Sequence, residues 1–237
     1  MKNQLLNLNN VVRRLASIIS CRAMRWCLPA FICVSSSLLS FSASPSQKAR
    51  IGELDELEFT EMIHSVPLDE KSATLIRKFQ DKEAYDRILK NYGLKKNGCN
   101  VETYRNKEVL LITIPASKLF APNETEVRKD VGALLNPIKR YLKDPDMYRV
   151  MMVMHTDNTG SEAYREKLTA ERSEALFDWF DDQNLDTTYL FTYAFADDEP
   201  LVENNTMENR AKNRRLEIYL VPGEKMLEQA KKGRIVF

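Results

Sequence analysis

Apolar residues recur along this chain with two different periods, and the order in which those periods alternate predicts an architecture. Residues 109–114 and 149–154 are apolar runs of strand length, and 189–195 is a third candidate strand. Leu216, Ile218 and Leu220 alternate across 215–221, the pattern of a strand with one buried face. Between the first two runs, Val127, Val131, Leu134, Leu135, Ile138 and Leu142 mark one helical face. Asn123 with Glu126 three residues later resembles a capping box, so a helix is expected over 123–142, kinked or divided at Pro137, which lacks an amide donor. A second helix is expected after Ser161, with Tyr164, Leu168, Ala175, Leu176, Trp179 and Phe180 as its apolar stripe. The order β-α-β-α-β-β predicts an α+β two-layer sandwich whose mixed sheet carries its helices on one face.

The flanks are patterned less strongly. Leu75, Ile76, Phe79, Tyr85, Ile88 and Leu89 give 74–89 a helical spacing, with 91–93 (Asn-Tyr-Gly) as its stop. Residues 96–100 read as a turn into a strand at 101–104, and Met226, Leu227 and Ala230 suggest a short helix near the C-terminus. The first 43 residues hold five bases and no acid, followed by an apolar, serine-rich run over 26–41, the composition of a signal or targeting segment. That run of about 16 residues is short of the roughly 20 a membrane span needs. Membrane association through an uncleaved N-terminal segment is the alternative, and a translation start at Met24 would give a more compact leader. The chain therefore divides into a targeting segment at 1–43, a partly helical N-terminal extension at 44–107, a main domain at 108–222 and a tail at 223–237. The extension is either packed on the domain, a spacer, or the contact for an envelope protein partner through 46–107.

Charge and cysteine usage narrow the function classes. The 237-residue chain has a net charge of +1, and removal of the leader leaves 30 bases against 34 acids, which gives no support to nucleic-acid binding. Cys21, Cys27 and Cys33 lie in the leader and outside any convincing lipoprotein cleavage box, so Cys99 alone would remain and no intrachain disulfide could form. His64 and His155 are the only histidines, and neither a metal-ligand cluster nor a nucleophile with a base partner is apparent. No cofactor is expected, and an enzyme is the weakest class.

The strongest chemical signal lies in HTDNTGSEAYREKLTAER, residues 155–172, where Asp157 precedes Arg172 by fifteen positions. Arg172 falls on the apolar stripe one turn after Leu168, where a guanidinium is costly to bury unless a carboxylate or carbonyl satisfies it. Asp157 lies roughly 15–20 Å away along the helix axis, so direct contact with Arg172 is not assured, but the two side chains could converge on something lying across the first turns. An acid for an ammonium and a planar arginine for a carboxylate suit a zwitterion. The competing structural reading is that Arg172 snorkels to solvent and Asp157 only caps its turn. Thr159 and the turn amides could add donors near the helix N-terminus, and Leu168 could floor the pocket or belong to the core.

Thr156-Asp157 before a turn glycine, Tyr164, Leu168, Arg172 and then Asn213-Arg214-Arg215 resemble, in order, the peptidoglycan-binding domain of OmpA-like proteins, over roughly 108–222. The resemblance implies an exported, periplasmic or cell-envelope protein that binds peptidoglycan without catalysis. It assigns Asp157 to the ammonium and Arg172 to the carboxylate of diaminopimelate in the stem peptide. It also implies that the Asn213-Arg214-Arg215 run shapes the binding loop, with Arg214 the arginine that reaches the site, while Asn205, Thr206 and Arg210 form turns. Phe120 would supply an apolar contact. Three positions depart from the family pattern: Met154 replaces a glycine, Ala194 and Ala196 stand where glycines are common, and Ala121 replaces an aspartate that can touch ligand. These departures leave open a second reading, an OmpA-like fold serving as an envelope interaction or structural module with weakened or lost wall binding.

Overall fold

The computed structural model describes residues 68–88, 94 and 98–237. The targeting segment, residues 44–67 of the extension and the helix stop expected at 91–93 lie outside the described residues. Helix α1 spans Glu70–Phe79, started by Asp69, whose carboxylate accepts from the Ser72 amide at 3.0 Å. It runs on as a π-helical turn over Gln80–Tyr85. There the buried Gln80 donates to the Glu108 carbonyl at 2.9 Å and accepts from the Tyr148 hydroxyl at 3.0 Å, which bolts the widened turn to the sheet.

Five strands follow: β1 Asn100–Tyr104, β2 Val109–Pro115, β3 Tyr148–His155, β4 Leu190–Ala194 and β5 Arg215–Pro222. They form one mixed sheet in the order β1-β2-β5-β3-β4, antiparallel except for the β3–β4 pair. The remaining helices are α2 Gly132–Lys139, α3 Glu162–Asp181, α4 Met207–Asn213 and α5 Glu224–Lys231. The mixed α+β fold is therefore the one the periodicity predicts, with β1 added at the sheet edge.

Alternation along the strands sorts the core. Leu110, Ile112, Ile114, Val150, Met152, Met154, Leu216, Ile218 and Leu220 gather with the helices' apolar residues in the main cluster. Each fully buried aliphatic side chain there stabilises the fold by roughly 1.5–3 kcal/mol relative to exposure. Met154 sits in this cluster with no exposed surface, so the methionine fills core volume rather than crowding the strand end. The opposite sheet face is buried too: Val109, Met151, Val153, Tyr193, Tyr219 and Val221 form a second cluster, and every residue of β5 is buried. A one-sided reading of β5 was therefore too narrow. At the sheet end remote from Asp157, Gly223 is required by close approach, because a Cβ there would stand 2.2 Å from the Asp146 carbonyl oxygen.

Two elements differ from their expected form. The helix expected over 123–142 begins only at Gly132, and Asn123 is not its cap. Phe120 instead bridges Val127 in antiparallel fashion, the Arg128 amide donates to the Leu119 carbonyl at 2.9 Å, and Asn123 turns the chain with φ +61°. Pro137 lies within α2, which gives way after Lys139 to a 3-10 turn, Arg140–Leu142. The predicted face of Val131, Leu134, Leu135 and Ile138 is still buried. The second difference is α4, placed where turns were expected: Thr206 caps it by accepting from the Asn209 amide at 3.1 Å, and Arg210 lies within it.

Candidate functional site

Register alone brings the two key segments together. His155, the last residue of β3, pairs with Arg215, the first of β5, so Asp157 and Arg214 both leave the sheet at this end. The end of β2 joins them, since Pro115 pairs with Arg215 and the Ala116 amide donates to the Arg214 carbonyl at 3.0 Å. The loop after β4 is fastened to the same end: the Thr156 amide donates to the Ala196 carbonyl at 2.7 Å.

Asp157 is buried, with 3% of its surface exposed, and its carboxylate is fully engaged. The Thr159 amide donates to Oδ1 at 2.8 Å, and the Arg214 guanidinium makes an ion pair with Oδ2. Burial opposes ionisation of this carboxyl, but the bonds from Thr159 and Arg214 outweigh it and hold its pKa below the ordinary value. Thr159 thus serves the carboxylate through its amide, and its side chain also favours the ionised form. Ser161 starts α3 by accepting from the Tyr164 amide at 3.3 Å, and Gly160 turns the chain into it with φ +88°.

Arg172 does not touch Asp157. It is 4% exposed and reaches across to the 121–124 loop, donating from Nε to the Glu124 carbonyl at 2.8 Å and from Nη2 to the Ala121 carbonyl at 3.3 Å. Its guanidinium lies 4.8 Å from the centre of the buried Phe120 ring. Backbone carbonyls and an aromatic face therefore satisfy the guanidinium on the apolar stripe, and the snorkelling reading is set aside. Its Nη1 amine has no hydrogen-bond partner among the described residues. Burial lowers the proton affinity of Arg172, nearby Tyr164 raises it and the neighbouring charge of Arg214 lowers it further. Arg214 thus adds a like charge to the surroundings of Arg172. Leu168 is buried on α3, one turn before Arg172, and belongs to neither hydrophobic cluster.

The three consecutive residues of the Asn-Arg-Arg run part company. Asn213 is fully buried and spends both amide protons on the 202–204 loop, at 2.8 Å to the Val202 carbonyl and 2.7 Å to Asn204 Oδ1, while accepting from the Val202 amide at 3.1 Å. Arg214 points to Asp157. Arg215 turns to the other face, bonding Glu217 at 2.8 Å and the Glu199 carbonyl at 3.0 Å. Glu217 also accepts from the Tyr219 hydroxyl at 2.7 Å and lies 3.4 Å from His155 Nε2. Burial would raise the Glu217 pKa, but His155, Arg215 and Tyr219 hold its carboxyl well below the usual carboxylate range. His155 belongs to this buried pairing, not to the Asp157 pocket.

Several site-forming residues escaped the sequence reading. Arg210 donates to Asn158 at 3.2 Å, which ties α4 to the Asp157 turn. Arg165 joins Asp197 at 2.5 Å and the Gly160 carbonyl at 2.6 Å. Tyr164 donates its hydroxyl to Asn123 at 3.2 Å, closing the loop that Arg172 holds from beneath. Helical spacing of Arg165 from Ser161 and the polar composition of the 197–210 segment were the only available signals, and neither specifies a partner.

The OmpA family model matches residues 119–214, the segment that holds Asp157, Arg172 and Arg214. Residues 119–214 form an OmpA family domain. The chain is 26% identical over 114 residues to outer membrane protein A of Bordetella avium, covering 48% of this chain and 59% of that protein. It is 35% identical over 85 residues to the peptidoglycan-binding protein ArfA of Mycobacterium bovis, covering 36% of this chain and 26% of that one. The chain thus spans about three fifths or less of the length of these curated relatives. A MotB-like protein of Desulfovibrio vulgaris shares the fold, with a TM-score of 0.55 at 20% identity over 64% of this chain and 93% of that one. Among the described residues, no group of three or more histidines, cysteines, aspartates or glutamates could hold a metal, and no helix is long and apolar enough to cross a membrane.

Proposed function

We propose that the OmpA family domain binds peptidoglycan without catalysis, through the zwitterionic end of diaminopimelate in the stem peptide, and so tethers an envelope component to the wall. The observation that carries this reading is a buried acid, Asp157, paired with Arg214 at one sheet end, together with a buried guanidinium, Arg172, on the 121–124 loop that Tyr164 of the same helix also joins. The ligand carboxylate would meet the unused Nη1 of Arg172, and its ammonium would take the place of Arg214 on Asp157. Thr159 and Asn213 hold the two loops in position and Leu168 offers apolar surface for the methylene chain, whereas Phe120, 1% exposed and part of the core, backs the Arg172 guanidinium instead of meeting ligand itself. Ala121 serves through its carbonyl, which Arg172 uses, so loss of an acidic side chain there leaves the arginine anchored. The family match and the similarity to the peptidoglycan-binding protein ArfA support a wall-binding role in the cell envelope.

The satisfied state of Asp157 favours one competing reading, an interaction module that keeps the fold without gripping the wall, with the Asp157–Arg214 pair acting as a structural rivet. Co-sedimentation of the full-length chain with purified sacculi separates the two. Wall binding predicts retention that falls about tenfold or more in Asp157→Ala, as expected for a lost charge-assisted contact. Equal retention of the variant, or none by the unmodified chain, refutes the wall-binding reading and supports the rivet.

A further inference from the structure

Tyr164 is a large aromatic residue left 41% exposed at the rim of the site. Its position is nonetheless fixed from three sides. The hydroxyl is bonded to Asn123, the backbone amide to the Ser161 cap, and the ring edge lies against Gly160, where a Cβ would stand 2.9 Å from Cδ1. Asn123 is itself set in a left-handed turn, φ +61°, on the loop whose carbonyls Arg172 grips. A side chain so constrained has lost its rotamer entropy while keeping apolar surface in water, the condition of a preformed contact surface.

We propose that Tyr164 is a platform for a pyranose ring of the glycan strand, adjoining the stem-peptide pocket. This rests on the wall-binding reading above. Tyr164 precedes Arg172 by eight residues on α3, an axial separation of about 12 Å. A peptide extending three residues from the diamino acid back to its sugar spans about 10 Å, so a stem anchored at Arg172 can reach Tyr164 with its carbohydrate end. A pyranose offers a face of C–H groups that are apolar and slightly positive, complementary to the negative face of an aromatic ring. The tether from hydroxyl to Asn123 keeps the ring from folding back over the pocket.

Titration calorimetry of the full-length chain with two probes tests this: the disaccharide-tripeptide and the tripeptide alone, both containing the same diaminopimelate. The unmodified chain should bind the disaccharide form about three- to tenfold more tightly, the scale of one aromatic contact. Tyr164→Ala should bring that ratio to about one, whatever it does to the affinity for the tripeptide alone, and Tyr164→Phe, which retains the ring, should preserve most of it. Circular dichroism confirms that each variant is folded, and Tyr164→Leu supplies a bulky non-aromatic control that should also lose the ratio. A ratio of one in the unmodified chain, or an unchanged ratio in both the Ala and Leu variants, overturns the platform. Binding of neither probe by the unmodified chain overturns the wall-binding reading itself.

Discussion

Arg172→Ala should destabilise the domain before it says anything about ligand. The guanidinium pins the 121–124 loop through two charge-assisted bonds, at 2.8 and 3.3 Å, and covers the Phe120 ring at 4.8 Å. Hydrogen bonds to charged donors contribute about 1.5–3 kcal/mol each, net of desolvation. The low end applies here because Glu124, Asn123 and Pro122 are exposed and the freed carbonyls can turn to water. Adding about 0.5–1 kcal/mol for the ring contact gives a loss of about 3–4 kcal/mol. Urea denaturation followed by the fluorescence of Trp179, which packs edge-on against Phe180 on the same helix, measures it directly. At roughly 2–4 °C per kcal/mol for a domain of this size, the melting temperature should fall by about 6–15 °C. Arg172→Met keeps an unbranched apolar stem without burying a charge, so it should recover part of the loss. A change below about 0.5 kcal/mol in Arg172→Ala, the scale of an ordinary surface substitution, would refute the claim that this arginine organises the loop.

Further consequences can be checked with the same denaturation assay. Asp157→Asn should lower stability most above about pH 4: a carboxyl with a depressed folded pKa stabilises above its unfolded value and loses that contribution as pH falls through the folded one, so the gap between variant and parent should close in acid. Glu217→Gln should cost about 3–5 kcal/mol, because Arg215, 1% exposed, would keep its charge without a counter-ion. Ala196→Gly should stabilise by about 0.5–1 kcal/mol, since Ala196 is held at φ +42°, where an L side chain is strained, and that relief exceeds the entropy added to the unfolded chain. Gly223→Ala should cost about 2 kcal/mol or more, since the Cβ would meet the backbone carbonyl of Asp146 at 2.2 Å rather than a side chain able to swing away.

Legibility in the sequence followed the physical range of each signal. Strand alternation and the Ser161 cap are local, and the strands and α3 appear within a residue or two of their expected bounds. The start of α2 was not legible because its competitor is not local: a helix through 123–131 would have used the carbonyl of Glu124, and Arg172, 48 residues beyond, takes it instead. Helix α4 was missed because seven polar-rich residues carry no apolar stripe, and only the Thr206 cap foretells them. At the site, residue identities were readable but partners were not. Nothing in the spacing of Asp157 and Arg172 reveals that β3–β5 register delivers Arg214 to the carboxylate first.

That delivery changes how the site must work. Asp157 already holds a cation, and Arg172 adds a second guanidinium on the 121–124 loop that Tyr164 also joins, so the free site carries two guanidiniums, which repel as like charges, against one acid. A ligand that brought only an ammonium would exchange one cation for another on Asp157 and leave the repulsion in place, with no net gain. One that brings a carboxylate as well relieves that repulsion, and Arg214, displaced from Asp157 yet still anchored at the start of β5, can join Arg172 on the incoming anion. Recognition under the wall-binding reading is therefore led by the carboxylate. Amidation of that group in the tripeptide should cost more affinity than acetylation of the amine, an order opposite to the one a vacant acidic pocket would produce.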